Sequence, residues 1–214
     1  MIIYFIRHGE AQLNAMNILH SRSYEDNPLT GKGRLEAAAA AFLLSRLGVK
    51  GPVFSSPLLR ARQTAQCIDP NFKVDERLRE IDMGDWELKK ISEIPFDNYL
   101  RDPVKYYPPN GETMESVVKR MGDFIEFAKS LNARVVIAVS HWHPIATAVA
   151  LITGLPLSNI YRIRIGTGSI TAIDLDINDL LFYNLSPLRI LRSLGFKDED
   201  IMSYCGDKYN EHNL

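Results

Sequence analysis

A chain of 214 residues with a formal net charge of −1 fits one domain, or one domain with a modest insertion, and can bury a substantial core. Its 25 lysines and arginines are interspersed with 26 aspartates and glutamates, which excludes a broad basic surface and argues against nucleic acid or anionic membrane as the main partner. The only cysteines, Cys67 and Cys205, are far apart and outside any Cys-x-x-Cys pattern, so neither a disulfide nor a thiolate metal site is expected, and a reducing cytoplasm is the expected setting.

Ile2 to Ile6 is short, β-branched and aromatic, and apolar on both alternate faces, which predicts a strand buried inside a sheet. Arg7 interrupts this run too early for a signal-peptide core, and no segment reaches the roughly 18 apolar residues of a membrane span. A soluble, unprocessed, cytoplasmic protein is expected. "LTGKGRLEAAAAAFLLSRLG" predicts a helix capped by Thr30 and stopped at Gly48, its alanine run forming a close-packed face. Val53 and Phe54 predict a very short strand, followed by a helix with Ser56 as N-cap and Pro57 in its first position. Residues 69–111, rich in Pro, Tyr and Asp with weak periodicity, are expected to form an excursion over one end of the sheet within a single domain spanning 1–214.

From Met114 the apolar residues recur at helical spacing, and "RVVIAV" predicts a second buried strand that ends on Ser140 and His141. "HPIATAVALITG" predicts the next helix, with Gly154 as its stop, and "SITAIDL" a final strand. "SPLRILRSLG" predicts a C-terminal helix within a terminal segment of residues 184–214, whose polar tail carries no readable signal. Strands alternating with helices predict an α/β three-layer sandwich: a mostly parallel central sheet, flanked by helices, with right-handed crossovers.

Two predicted strands finish on a histidine, His8 and His141, and the carboxyl ends of strands line the ligand crevice of an α/β sheet. Arg7 sits beside the first, and Arg60 follows the "VF" strand closely enough to reach the same end. Two guanidiniums and two imidazoles describe an oxyanion pocket, because the guanidinium fork matches phosphate oxygens. Taken singly, each residue has a plainer reading: His141 as a hydrogen-bonded structural histidine, Arg60 as a surface charge, Glu80 as a solvated carboxylate in a charged stretch. His20, His143 and His212 show no partner pattern and read as structural. His141 and His143 have no acidic cluster beside them, so no metal site is expected.

"FIRHGEAQLN", "PLTGKGRLEA", "FSSPLLRARQTA", "LREIDMGDWE", "PNGETMESV" and "VIAVSHWHPI" resemble, in order and spacing, the motifs of the histidine phosphatase, or phosphoglycerate mutase-like, superfamily. The resemblance implies a phosphohistidine enzyme without cofactor or metal. It makes His8 the nucleophile, Glu80 the proton donor and acceptor, and His141 the second pocket histidine, with Arg7, Asn14, Arg60 and the backbone N–H of Trp142 binding phosphate. In that scheme a protonated His141 helps to neutralise the phosphoryl oxygens, and Glu80 acts as an acid provided its surroundings raise its pKa. Trp142 departs from the family pattern, which has glycine there, and puts a bulky ring at the pocket.

Hydrolysis of small phosphomonoesters is the expected activity, with inorganic phosphate or other oxyanions as further pocket ligands and a homodimer possible. The alternatives are a cofactor-dependent phosphoglycerate mutase and a non-catalytic phospholigand sensor. Against the mutase, the segment from Leu88 to Asn110 supplies only Lys89, Lys90, Arg101 and Lys105 as cations, with no adjacent arginine pair. Against the sensor, a binder needs neither a nucleophile nor an acid.

Overall fold

The computed structural model describes residues 1–22 and 27–206. In chain order, β1 (Ile2–Arg7) leads through a short helix α1 (Gln12–Ala15) to α2 (Gly31–Arg46), and β2 (Val53–Ser55) leads to α3 (Leu59–Ile68). The short strand β3 (Lys73–Val74), α4 (Phe96–Arg101), α5 (Met114–Ser130), β4 (Val135–Ser140) and α6 (Trp142–Thr153) follow. A hairpin of β5 (Ile170–Asp174) and β6 (Asp179–Leu185) then precedes α7 (Pro187–Ser193) and α8 (Asp198–Gly206). The six strands form one sheet in the order β3-β2-β4-β1-β5-β6; β3, β2, β4 and β1 run parallel, while β5 and β6 are antiparallel to their neighbours. The expected α/β class and mostly parallel sheet are therefore correct.

Alternation along the central strands covers both faces of the sheet. Ile3 and Phe5 of β1 with Val136 and Ala138 of β4 pack against Met121 and Phe124 of α5 and Ile145 of α6. Ile6, Ile137 and Val139 point the other way, onto Ala40 and Leu44 of α2 and Ala61 and Ala65 of α3. Full burial of one such large apolar side chain contributes roughly 1.5–3 kcal/mol, so these alternating rows fix the strand register.

The alanine run is more than one packed face. Ala37 to Ala41 are all buried, and five consecutive residues exceed one helical turn of about 3.6 residues. Only methyl-sized side chains let α2 lie between the sheet and the outer helices, with Leu191 of α7 and Ile201 of α8 in the second contact. Thr30 caps α2 as expected, its Oγ1 accepting from Gly33 N.

Several expectations are corrected. Cys67 and Cys205 are joined in a disulfide that ties α3 to α8, because the fold brings together residues 138 apart in sequence. Leu58, not Ser56, is the N-cap of α3; Ser56 Oγ accepts from Leu58 N but also contacts His141. "SITAIDL" is not the final strand, since β6 follows it as a half-exposed edge. Residues 69–111 contain β3, three single 3-10 turns and α4, and they reach into the core through the buried Trp86 and Tyr99. The segment after α7 includes α8, anchored by Ile201 and Cys205.

Candidate active site

The parallel register of β1 on β4 pairs Arg7 with Ser140, so the residues that follow, His8 and His141, emerge side by side. His8 N donates to Ser140 O at 3.0 Å, and the two imidazole centroids lie 4.9 Å apart. Gly9 then has to be a glycine. A Cβ there would stand 2.1 Å from Gly33 O, and one on Gly33 would stand 1.9 Å from Glu10 O, so the turn after His8 lies backbone against backbone on the start of α2.

His8 is buried and oriented by two hydrogen bonds. Its Nδ1 lies 2.7 Å from Gly9 O, which can only accept, so Nδ1 carries the proton and Nε2 keeps its lone pair. Arg60 Nε donates to that Nε2 at 3.2 Å, while Arg60 Nη2 donates to His20 O at 3.0 Å. Burial, reinforced by Arg60 and Arg7, holds the His8 pKa well below its usual range, so the imidazole is neutral at neutral pH. A neutral ring with an unprotonated Nε2 can attack phosphorus once the substrate takes over the Arg60 donor. Arg60 itself is lowered to about 10, chiefly by burial, and remains a cation.

Arg7 Nη1 donates to Ile165 O at 2.5 Å, and its Nε has no partner among the described residues. His141 Nε2 contacts Ser56 Oγ at 2.7 Å, and its Nδ1 is likewise buried without a partner among the described residues. An oxyanion in this pocket would satisfy the Arg7 Nε donor, since a buried donor without an acceptor costs about 1–3 kcal/mol. The expected protonated His141 is corrected: burial and the positive field of Arg60 push its pKa well below the usual range.

Glu80 sits at the same cavity, its side chain 12% exposed. Its Oε1 accepts from Ile81 N at 2.9 Å, His143 N at 3.2 Å and His143 Nδ1 at 3.0 Å. The expected upward pKa shift does not occur. Burial pushes up, but His143, the Ile81 N–H and Arg60 together outweigh it and hold the carboxyl at about 2.

The cavity has a volume of about 610 Å³. Arg7, His8, Asn14, Arg60, Glu80 and Trp142 all line it, so six of the seven sequence-derived residues converge there, with His141 directly behind His8. Asn14 lies on α1, its Oδ1 accepting from Ala11 N at 3.1 Å. Trp142 is the first residue of α6, whose leading N–H groups have no intrahelical acceptor. Its ring stacks on Tyr161 at 4.5 Å and 12°, and with Phe96 these rings build an apolar wall.

Sequence reasoning missed His143. The residue is not on a strand: His141 is the N-cap of α6 and His143 its second residue, which swings the ring onto Glu80. Pro144, a first-turn residue, was the signal that "HWHP" opens a helix. His20 is also recruited, through its carbonyl on Arg60 and a 3.3 Å contact of Nδ1 with Glu87. His212 lies outside the described residues.

Residues 3–183 match the profile of the histidine phosphatase superfamily (branch 1). The chain is 32% identical over 186 residues to "Putative phosphoserine phosphatase 2" of Hydrogenobacter thermophilus, a match covering 81% of this chain and 89% of that one. It is also 32% identical over 183 residues to "Probable phosphoglycerate mutase GpmB" of Escherichia coli, covering 80% and 84%. Among solved structures it is similar to a mycobacterial glucosyl-3-phosphoglycerate phosphatase in complex with VO3, with a TM-score of 0.75 and 28% identity over 86% of this chain and 99% of that one. With a profile match over nearly its whole length and a matching α/β fold, the chain belongs to the histidine phosphatase superfamily.

Proposed function

We propose that this protein is a metal-independent phosphomonoesterase that hydrolyses small phosphorylated metabolites through a phosphohistidine at His8. The observation that carries the reading is the tautomer of His8: Nδ1 donates to Gly9 O, and Nε2 points at Arg60. In the first step Nε2 forms a bond to phosphorus as the ester P–O bond breaks, and Glu80 gives a proton to the departing alkoxide. In the second, water attacks the phosphohistidine, Glu80 takes a proton from it, and the N–P bond breaks to release inorganic phosphate. Arg7, Arg60, Asn14 and the Trp142 N–H bind the equatorial oxygens, and His141 Nδ1 meets one of them.

Glu80 must be protonated for the first step although its protein neighbours keep it ionised. A bound phosphate dianion offsets the field of Arg60 and adds a like charge, and both effects raise the carboxyl pKa. The substrate thus creates the acid it needs.

A mutase is the second reading, and the name of the Escherichia coli relative favours it. Hydrolysis is preferred because the segment from Leu88 to Asn110 contributes Ile91 and Phe96 to the cavity and none of its lysines or arginine. A panel of phosphomonoesters, assayed in strong chelator with and without bisphosphoglycerate, decides between them. Phosphate release independent of both additions, and inhibited by orthovanadate, is the expected result. Turnover that needs bisphosphoglycerate, or that a divalent ion restores after chelation, overturns it.

A further inference from the structure

His143 is buried, and every polar atom of its ring is engaged. Nδ1 and the backbone N both meet Glu80 Oε1, at 3.0 and 3.2 Å. Nε2 lies between two phenols, 2.9 Å from Tyr99 Oη and 2.8 Å from Tyr161 Oη. Tyr99 is fully buried, whereas Tyr161 lines the cavity beneath Trp142. An ionised Glu80 can only accept, so Nδ1 carries the proton, and in the neutral ring Nε2 accepts from a phenol hydroxyl, which locks this tautomer. Oε1 is thereby held by three N–H donors, while Oε2 takes part in none of these bonds.

We infer that His143 is a positioning residue for Glu80: the phenols of Tyr99 and Tyr161 fix the imidazole as an Nδ1–H donor, which pins Oε1 and turns Oε2 toward the leaving-group oxygen. This role rests on the hydrolase reading above. The same hydrogen bond helps to draw the Glu80 carboxyl down against its burial. Arg60 and Arg7 from α3 and β1, and His8, also face Glu80 electrostatically, and Tyr99 and Tyr161 face it from α4 and the turn before β5. None of these groups is altered in the His143 variants below. Loss of the donor therefore raises the Glu80 pKa, and the basic limb set by the acid moves to higher pH.

The test compares His143→Ala, His143→Asn and Tyr161→Phe with the wild type on an alkyl phosphate and on p-nitrophenyl phosphate. The quantity is kcat/KM, which reads phosphoryl transfer to the enzyme and excludes the later hydrolysis. Full loss of a general acid costs about 10²–10⁴-fold, so a mispositioned one in His143→Ala should cost on the order of 10–100-fold on the alkyl ester and little on the nitrophenyl ester, whose leaving group departs unprotonated. The basic limb of single-turnover phosphorylation at saturating alkyl phosphate, which reports the enzyme–substrate complex, should move upward in His143→Ala. His143→Asn, whose amide N–H replaces the Nδ1 donor, should recover most of the rate and return the limb. Equal losses on both esters, an unmoved limb or no rescue by asparagine would reduce His143 to packing. Independently of turnover, the imidazole ¹⁵N shifts of His143 should report the Nδ1–H tautomer in the wild type and a mixture in Tyr161→Phe; a dominant Nε2–H form in the wild type overturns the inference. If the wild type turned over neither ester while those shifts held, the hydrolase reading would fail and the His143–Glu80 geometry would stand.

Discussion

His8 is set up for attack by its neighbours rather than by a strong base. Gly9 O takes the Nδ1 proton, and burial beside two guanidiniums keeps the ring neutral. Because the His8 pKa lies below the ordinary 6.5, protonation that would block Nε2 begins only at lower pH. The acid limb of kcat/KM should therefore lie below pH 6.5, and a limb at or above that value would contradict the electrostatics. Gly9→Ala tests the geometry separately. Its Cβ would meet Gly33 backbone at 2.1 Å, an overpacking that typically costs about 1–3 kcal/mol, so both the thermal midpoint and turnover should fall. At this scale the sequence was informative where function needs a residue type at a strand end: Arg7, His8 and Glu10 around one glycine, and His141 closing a second apolar run. It did not reach the charge states of Glu80 and His141, both of which are corrected above, because each is a sum of burial and charges from residues such as Arg60 that are remote in sequence.

Elements place these residues through register. β1 and β4 were legible because both are apolar on alternate faces, and α2 and α5 because caps and periodicity agree. β3 was not legible, being two exposed residues, nor was β6, whose half-exposed edge alternates without a strong apolar face. α8 carries three acidic residues in its first turn and only two buried anchors, so its place depends on what α2 and α3 offer it. One of those anchors is the disulfide. Arg60 is second in α3 and Cys67 next to last, which separates them by about 10 Å along the helix axis. Cys67→Ser should lower stability by about 2–5 kcal/mol, the usual range for losing a native crosslink, while largely sparing kcat. An unchanged midpoint on reduction would show that the crosslink contributes nothing to stability.

For the molecule as a whole, the buried ionisable groups of the site set the response to acid. His8 and His141 titrate lower in the folded chain than when unfolded, so the stability present above pH 6.5 begins to fall as pH drops below it. Glu80 and Glu87, held at about 2 against an ordinary 4.5, add a second loss as pH falls from 4.5 toward 2. The thermal midpoint should be level near neutrality, decline below 6.5 and steepen below 4.5; a midpoint that rises on acidification between those values would refute the assignment of buried neutral histidines.

Covalent chemistry at His8 is the central step of the proposed mechanism. Mixing the protein with a ³²P-labelled phosphomonoester and quenching in alkali within one turnover should trap a label that is stable to base, lost in acid and mapped to His8, with none trapped in His8→Ala. Label on any other residue, or undiminished turnover by His8→Ala, would contradict the phosphohistidine mechanism.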